Sequence, residues 1–404
     1  MGFDIAISGL TASRQMLDVT GNNIANANTT GFKVSRVLTE DVYPAGNGGA
    51  TAIGLGTRTA EIQQQFNQGS IQSTGNSLDL SISGQGFFTM ARSKDNLLER
   101  EYTRAGAFHM DKEGYVINSA GRYLLGNDSS GTPSKIQIQD VGGVPQPTST
   151  VINTLNLDAR SPVVTATSIN PSDPSTYSYN ASMLVYDSQG DSHTLTAYYV
   201  KTAPNTWSMS LYSPSPTSVN DKPLGDPIAL EFDTKGRLKD QTTTQAIKVT
   251  IPGGAVDDIN ISANFSGLTQ YSSEFSVNNQ YQDGYPKGIL TGVMVSDNGE
   301  ITAKYSNGQN TLMSTLLLTR FNNPNGLEKL GANAWATTGD SGPPLTNLPR
   351  TSGLGSVQSS SLESSNVDLS TELVKLIVAQ QSYQANSQSI STLNQSMQSI
   401  LNIR

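Results

Sequence analysis

The sequence contains no cysteine, and only 14% of its residues are charged. Without cysteine the chain can form neither a disulfide bond nor a thiolate metal site, and it offers no cysteine nucleophile. Histidine is almost as scarce, because only His109 and His193 occur and they lie in separate predicted domains. A histidine metal site or a histidine-based catalytic triad is therefore not expected. We predict no catalytic residues, no bound metal and no cofactor.

Long apolar runs and basic clusters are missing as well. No apolar stretch reaches the roughly 18 residues that indicate a membrane-spanning helix, so membrane insertion is not expected. The formal net charge is −8, whereas nucleic-acid-binding proteins usually carry a basic patch, so nucleic acid is not a predicted partner. Residues 1–20 lack a basic segment followed by an uninterrupted apolar core, so we expect no cleavable signal peptide.

Both ends of the chain carry apolar residues that recur every seven positions. This period is typical of a helix that packs along another helix. We predict that these residues form a seam between the two terminal helices, or between copies of the chain. The plain alternative is a pair of amphipathic helices that dock on their own domain. The N-terminal repeat consists of Phe3, Leu10, Leu17 and Ile24, and the C-terminal repeat of Leu369, Leu376, Tyr383, Ile390 and Met397, with Leu373 beside it.

The C-terminal helix has almost no charge. Between Lys375 and Arg404 the sequence contains no Asp, Glu, Lys or Arg, and its polar residues are Ser, Gln, Asn and Thr. Soluble coiled coils usually place Glu and Lys beside the seam to select their partner and register. A neutral polar face is instead suited to lining a passage that must hold neither cations nor anions.

The middle of the chain has the pattern of β-structure. Leu78, Leu80 and Ile82 alternate with polar residues, and this period of two is typical of a strand. Further strand-like runs are separated by turns in which Asp accepts a backbone hydrogen bond and Gly adopts a positive φ. We predict antiparallel hairpins, with Trp207 and Trp335 in domain cores. The turns are Asp111–Gly114, Asp187–Gly190, Asp233–Gly236 and Asp297–Gly299.

The predicted fold is mainly β and multidomain, with N- and C-terminal α-helices forming a coiled-coil-like inner domain and with nested, discontinuous β domains. A helix opens the chain, a first β domain begins, a second is inserted, the first finishes, and a helix returns. The predicted parts are a terminal helical domain (1–30 and 366–404), a connector (31–75 and 345–365), a first β domain (76–149 and 285–344) and an inserted β domain (150–284).

Three segments resemble those of the bacterial flagellar rod and hook family. The run from Gly21 to Lys33 resembles its N-terminal signature, residues 363–386 resemble its C-terminal motif, and Ser83–Phe88 match a third shared segment. These segments lie in the family's order at the expected ends of the chain. The N-terminal motif residues are Asn22, Asn23, Ala25, Asn26, Gly31, Phe32 and Lys33.

The middle of the chain is similar to the outer domain of the hook members of this family. The resemblance lies in Leu184–Gly190, in the segment that ends at Trp207, and in Asn278–Gly284. Distal rod members are shorter and lack this large insertion. The resemblance covers essentially the whole chain and is weakest across residues 140–180 and 213–227.

The resemblance implies a structural subunit of the flagellar hook and not an enzyme. Such subunits self-assemble into a curved helical tube that encloses the export channel and acts as a universal joint, transmitting torque from rod to filament. The terminal helices would form the inner tube, the first β domain the middle layer and the inserted domain the outer layer. The implied partners are copies of the chain itself, the distal rod, hook cap and hook–filament junction proteins, and the flagellar type III export apparatus. The implied location is extracellular, in the hook, after export without a cleaved signal peptide.

Two alternatives remain at this stage. Another axial component, such as a distal rod or junction protein, would share the terminal motifs but not the middle segment. A secreted β-rich enzyme or carbohydrate-binding module would need carboxylates or aromatic residues clustered on one face, and the sequence gives no such convergent set.

The seam assignment leads to a first prediction. A charge at its centre, as in Leu376→Glu or Ile390→Glu, should abolish polymerisation because the seam would have to bury an unpaired carboxylate. The β domains should stay folded, as judged by circular dichroism. Normal tubes in electron micrographs of either variant would contradict the assignment.

Overall fold

The structure is a computed structural model that describes residues 2–43, 54–94, 96–138, 143–166, 168–212, 223–239, 244–249 and 259–402. The Gly/Ala-rich piece of the predicted connector, at residues 45–52, lies outside these described residues. Tertiary contacts divide the chain into two compact units. Unit 1 comprises Met1–Gln139, Gly292–Lys304 and Asn310–Arg404, and unit 2 comprises Asp140–Thr291 and Tyr305–Gln309. The four-part division predicted from the sequence is finer than this one and stays a prediction.

Two long helices lie at the ends of the described chain. Helix α1 spans Gly2–Ala25 and helix α2 spans Leu369–Leu401. Asp368 caps α2 by accepting a hydrogen bond from the backbone N–H of Thr371 at 2.7 Å. With a rise of about 1.5 Å per residue, α2 is roughly 50 Å long. Neither helix is long and apolar enough to cross a membrane.

The strands follow the predicted β pattern closely. In the first part of unit 1 they are β1 (Ser35–Asp41), β2 (Thr57–Gln64), β3 (Ile71–Ser73), β4 (Leu80–Ser83), β5 (Phe87–Ala91), β6 (Arg100–Thr103), β7 (Phe108–Met110), β8 (Val116–Asn118), β9 (Tyr123–Asn127) and β10 (Pro133–Lys135). Next come β11 (Thr150–Asn156), β12 (Tyr179–Tyr186), β13 (Ser192–Ala203), β14 (Thr206–Tyr212), β15 (Ile228–Glu231), β16 (Thr244–Val249), β17 (Ile259–Asn264) and β18 (Ser276–Gln282). The last are β19 (Leu290–Val295), β20 (Glu300–Tyr305), β21 (Asn310–Leu316), β22 (Leu318–Arg320), β23 (Glu328–Gly331), β24 (Ala334–Ala336), β25 (Leu345–Asn347), β26 (Ser356–Ser359) and β27 (Ser361–Glu363).

Unit 1 joins early and late parts of the sequence. Its largest sheet has 13 strands and follows the path β19-β20-β21-β9-β5-β6-β24-β23. Two small sheets pair β3 with β27 and β4 with β26, so the segments that lead to and from the terminal helices lie side by side. A ribbon of β1 and β2 packs along α1, where the Ser8 hydroxyl accepts a hydrogen bond from the N–H of Thr57. The two ends of the chain are therefore tied together over several elements.

An aromatic cluster forms a core in unit 1. Phe66, Phe87, Phe321 and Trp335 meet with ring centroids 5.6–5.9 Å apart in tilted or edge-to-face arrangements, which aromatic rings prefer. Trp335 is buried, and its indole N–H donates to Gln64 at 2.7 Å. The prediction of a core position for Trp335 is confirmed.

Unit 2 contains two four-stranded sheets with one core between them. The sheets have the orders β16-β17-β11-β18 and β12-β13-β14-β15, and buried residues alternate along their strands as they do in a sandwich. Trp207 is completely buried in this core, as predicted, and donates to Gln270 at 3.0 Å. The expectation of antiparallel pairing is wrong at one place, because β11 pairs in parallel with β17. β17 and β18 flank β11 and run in opposite directions, so one of them must be parallel to it.

The predicted Asp–Gly turns are present. In Asp111–Gly114, Asp187–Gly190 and Asp233–Gly236, the glycine N–H donates to the carbonyl of the aspartate, and every glycine has a positive φ. Gly299 closes its turn onto Ser296 instead of Asp297. These turns fix the hairpins, and the aspartate carboxylates are occupied by backbone N–H groups of the turn in the first three.

Candidate assembly site at the chain termini

The two terminal helices of the chain pack against each other in antiparallel orientation. A β-carbon placed on Gly9 would lie 2.8 Å from Oδ1 of Asn386, and one on Gly2 would lie 3.7 Å from Leu393. Near the other end, the amide of Asn23 donates to Glu372 at 3.0 Å. Each advance of seven residues along α1 thus matches a return of seven along α2. The seven-residue spacing that the sequence shows therefore fits the register of this helix pair.

The buried residues of the two terminal helices are small or polar. On α1 they are Ala6, Ala12, Ser13, Thr20 and Asn23, and on α2 they are Glu372 and Ala379. Small side chains and the close approach at Gly9 bring the two backbones together, so the larger apolar residues lie at the margins. Of the predicted seam residues, Leu10, Leu17, Ile24, Leu376 and Ile390 are half-buried, whereas Phe3, Leu369, Leu373, Tyr383 and Met397 are exposed.

The first three turns of α2 carry an exposed apolar patch, which we call the α2 patch. Its members are exposed by 46–61% of their surface in this single chain. Beyond Ala379, the same side of the helix carries Gln, Ser and Asn. The α2 patch consists of Leu369, Leu373, Val374, Ile377 and Val378.

The C-terminal end of α2 extends beyond α1. Because Leu393 lies beside Gly2, the antiparallel register leaves no α1 residue opposite Met397, Ile400 or Leu401. These three side chains are 60%, 69% and 75% exposed. The overhang therefore leaves apolar surface on a helix that otherwise packs along its partner.

A buried carboxylate ties the exit of α1 to the entrance of α2. Glu363 is fully buried, and one of its oxygens accepts from Nζ of Lys33 at 2.6 Å and from the N–H of Gly69 at 3.0 Å. Its other oxygen accepts from Arg104 at 3.2 Å. Lys33 also donates to the carbonyl of Asn67 at 2.8 Å. We call this group, together with Asn23, Asn366 and Glu372, the terminal junction.

Burial has the largest effect on the pKa values of the two cations in the terminal junction. It lowers the pKa of Lys33 and of Arg104, and the Glu363 carboxylate opposes this effect by stabilising both cations. Removal of the carboxylate would leave two positive charges in a region that excludes water. A buried ion pair of this kind adds little stability over an apolar replacement, but breaking it is costly.

Amide side chains complete the junction. Asn23 donates to the carbonyl of Ser35 at 2.7 Å and accepts from its N–H at 3.0 Å, in addition to its bond to Glu372. Asn366 accepts from the N–H of Val34 and donates to the carbonyls of Gln65 and Asn67. Each amide forms hydrogen bonds with backbone groups that would otherwise be unpaired, so both side chains hold neighbouring segments of the chain together.

The other motif residues shape the end of α1. Gly31 has a φ of +69°, its N–H donates to the carbonyl of Glu363, and a β-carbon on it would lie 2.5 Å from the N of Ala105. Asn26 closes the helix by donating from its backbone and its amide to the carbonyl of Asn22. Phe32 is half-buried, whereas Asn22 and Ala25 are exposed. The structure thus places Asn23 and Lys33 in the terminal junction and Gly31 in contact with it, and it leaves Asn22 and Ala25 outside.

Sequence reasoning missed four residues of the junction as site residues: Arg104, Glu363, Asn366 and Glu372. Three of them belong to the recognised C-terminal motif. Glu363 is also the only charged residue between Arg350 and Asp368, which was a usable signal. Arg104 had no such signal, since only folding brings it to Glu363.

In the described part of the chain, no cluster of metal-binding or histidine side chains forms a second candidate site. Among those residues, no group of three His, Asp or Glu side chains could hold a metal ion. His109 is exposed in unit 1. His193 lies in unit 2, 2.8 Å from Asp187 of its own hairpin.

Four family models match successive parts of the chain. They are described as flagella basal body rod protein (residues 3–33), flagellar hook protein FlgE/F/G D1 domain (81–165), flagellar basal body protein FlaE D2 domain (156–285) and flagellar basal body rod FlgEFG protein C-terminal (358–403). Flagellar hook protein FlgE of Escherichia coli K12 is 34% identical over 100% of both chains. The chain belongs to the flagellar hook protein family.

A more distant relative supports the same assignment, and a solved structure shows the same fold. Flagellar hook protein FlgE of Borreliella burgdorferi is 30% identical and covers 98% of both chains. The crystal structure of Helicobacter pylori flagellar hook protein FlgE2 shares the fold with a TM-score of 0.52 at 17% identity, covering 71% of this chain and 99% of that one. Hook family membership makes the chain a structural subunit of the flagellar hook rather than another axial component.

The buried carboxylate leads to a stability prediction. Glu363→Gln should lower the free energy of unfolding by about 3–5 kcal/mol, because it leaves Lys33 and Arg104 buried without a counter-charge. Lys33→Met should cost less, since Glu363 keeps Arg104 and the N–H of Gly69. Urea unfolding followed by circular dichroism measures both.

Glu328→Gln provides the matched control, because Glu328 is an exposed carboxylate of β23. Its effect should stay within about 0.5 kcal/mol. If Glu363→Gln were as mild as this control, the terminal junction would not hold the chain ends together.

Proposed function

We propose that the chain self-assembles into a helical tube in which copies cover each other's α2 patch and C-terminal overhang. The observation that carries this proposal is the exposure of five apolar side chains on the first three turns of α2. Contiguous exposed apolar surface of this kind marks interaction sites. A contact between two different surfaces of identical chains does not close on itself and generates an open helical assembly.

The overhang of α2 supports contacts along the tube. Met397, Ile400 and Leu401 extend the helix beyond the start of α1. The terminal helix pair of the next copy would supply the missing partner, so that each copy continues the inner tube of the previous one. In this arrangement some of the predicted seam residues pack against the other terminal helix of the same chain, and others pack against a neighbouring copy.

The neutral polar residues of α2 suit the inner wall of such a tube. No charged residue occurs between Lys375 and Arg404, so this face would attract neither acidic nor basic segments of an exported chain. We propose that it lines the export channel. The chain would itself leave the cell through the type III export apparatus and assemble outside, without a cleaved signal peptide.

The tube would act as a universal joint that bends while it transmits torque from rod to filament. Firm packing at the termini would preserve the tube, and the outer β-domain would slide against its copies. Strand β18 of unit 2 supports the second requirement, because six of its seven residues are exposed and most are Asn, Gln or Ser. Small polar surfaces slide more easily than interlocked apolar ones, since close-packed apolar contacts resist rearrangement. The proposed neighbours at the tube's ends are the distal rod, hook cap and hook–filament junction proteins.

The α2 patch can be tested apart from the helix pair. Ile377 follows Leu376 by one position and therefore points about 100° away from it around the helix. Ile377→Glu should prevent tube formation because it places a carboxylate in the contact between copies. Negative-stain electron microscopy measures tube formation, and urea unfolding should change by less than about 1 kcal/mol because Ile377 is exposed in the single chain.

Gln381→Glu is the control, since it adds the same carboxylate about one turn later on the same side of α2, at an exposed polar position. It should leave tube formation intact. Normal tubes from Ile377→Glu, or loss of tubes from both variants, would contradict the assignment of the α2 patch to a contact between copies.

A further inference from the structure

Unit 1 contains a polar cavity of about 480 Å³ whose only charged lining residues, among those described, are arginines. Arg36, Arg104 and Arg320 line it together with Gln, Asn and aromatic side chains, and no carboxylate is among its described lining residues. The terminal junction uses only Arg104 of the three. We call this cavity the arginine pocket.

The three arginines differ in how their charges are compensated. Arg104 pairs with Glu363 at 3.2 Å and donates to the carbonyl of Gly84 at 2.7 Å. Among the described residues, the guanidinium of Arg36 donates only to the neutral side chain of Gln63, at 2.8 and 3.2 Å. The side chain of Arg320 has no hydrogen-bond or ion-pair partner within the described chain, and its Nε is buried. The pocket therefore holds two guanidinium groups without a counter-charge.

A buried guanidinium N–H without an acceptor is costly, so its presence calls for an explanation. The planar fork of an arginine matches a carboxylate with two parallel hydrogen bonds. We propose that the arginine pocket receives an Asp or Glu side chain of a second copy of this chain when the tube assembles. This inference rests on the proposed self-assembly and identifies one of its contacts.

The charge of the chain favours a second copy as the source of the carboxylate. Acidic residues outnumber basic ones, 33 to 25, so a neighbour presents carboxylates more often than cations. Asp18 on α1 and Asp41 on β1 are exposed and have no partner within the described residues. In a homopolymer, such groups recur beside every copy of the pocket.

The first test compares tube growth in full-length variants. Arg320→Gln should raise the critical concentration for tube growth about tenfold at low salt, as expected for the loss of one charge-assisted interaction of about 1.4 kcal/mol. The difference from the unmodified chain should shrink at high salt, because ions screen the pair. Arg36→Gln should act in the same direction.

Arg122→Gln is the control because Arg122 pairs with Glu101 of its own chain at 3.0 Å. It should leave the critical concentration unchanged. Urea unfolding of Arg320→Gln should show no loss of stability relative to the unmodified chain, since the side chain of Arg320 has no partner to lose. Equal critical concentrations for Arg320→Gln and Arg122→Gln would overturn the proposal.

A cross-link can identify the occupant directly, because the chain has no native cysteine. Asn325 lines the pocket and is exposed, so Asn325→Cys can carry a thiol-reactive hydrazide that couples to activated carboxylates. Tubes should give a covalent dimer linked at an Asp or Glu, located by mass spectrometry, and unassembled chains should not. Intact tubes without such a dimer would overturn the proposal.

Inorganic phosphate tests the other source of an anion. If phosphate stabilised the unassembled chain and Arg320→Gln removed that effect without altering tube growth, the pocket would be an anion site and the proposal would be overturned. If the unmodified chain formed no tubes, the proposed function would fail together with this contact. If it formed tubes and Arg320→Gln left their growth unchanged, only the proposed contact at the arginine pocket would be refuted.

Discussion

The carboxylate of Glu363 is the constraint on which the terminal region depends. It accepts hydrogen bonds from Lys33, Arg104 and the N–H of Gly69, and the backbone carbonyl of Glu363 accepts one from the N–H of Gly31. It therefore joins the segment that leaves α1, the residue that follows strand β6 of the large sheet, and the segment that enters α2. Because both neighbouring cations are buried, removal of the carboxylate would leave two positive charges without a counter-charge. This arrangement sets the direction in which the two terminal helices leave the β part of unit 1.

The helix pair balances contacts within the chain against contacts between chains. Small residues such as Ala6, Ser13 and Thr20 occupy the interface of α1 with α2, which leaves the larger apolar residues at its margins. A helix pair that buried all of its apolar surface internally would have little reason to polymerise. Here the α2 patch and the overhang stay available to neighbouring copies. This division between contacts within the chain and contacts between chains explains why the most exposed apolar residues of α2 lie at its two ends.

Periodicity predicted the elements of the fold better than it predicted their partners. The two terminal helices, the hairpin turns, and the buried positions of Trp207 and Trp335 follow from local patterns that the chain satisfies without knowledge of its tertiary structure. The parallel pairing of β11 with β17 depends on which distant strands meet, and no local signal carries that information. Arg104 was missed for the same reason, whereas Asn23, Gly31 and Lys33 were found through the motif resemblance.

The central claim is that the exposed surfaces of α2 are contacts between copies, arranged by an intact terminal junction. Cryo-electron microscopy of tubes grown from the purified full-length chain tests it most directly. The account predicts that Leu373 and Ile377 lie against a neighbouring copy, and that Glu363 contacts Lys33 and Arg104 in every copy. Tubes in which these apolar residues face solvent or the central channel would contradict it, as would a compact monomer that never assembles.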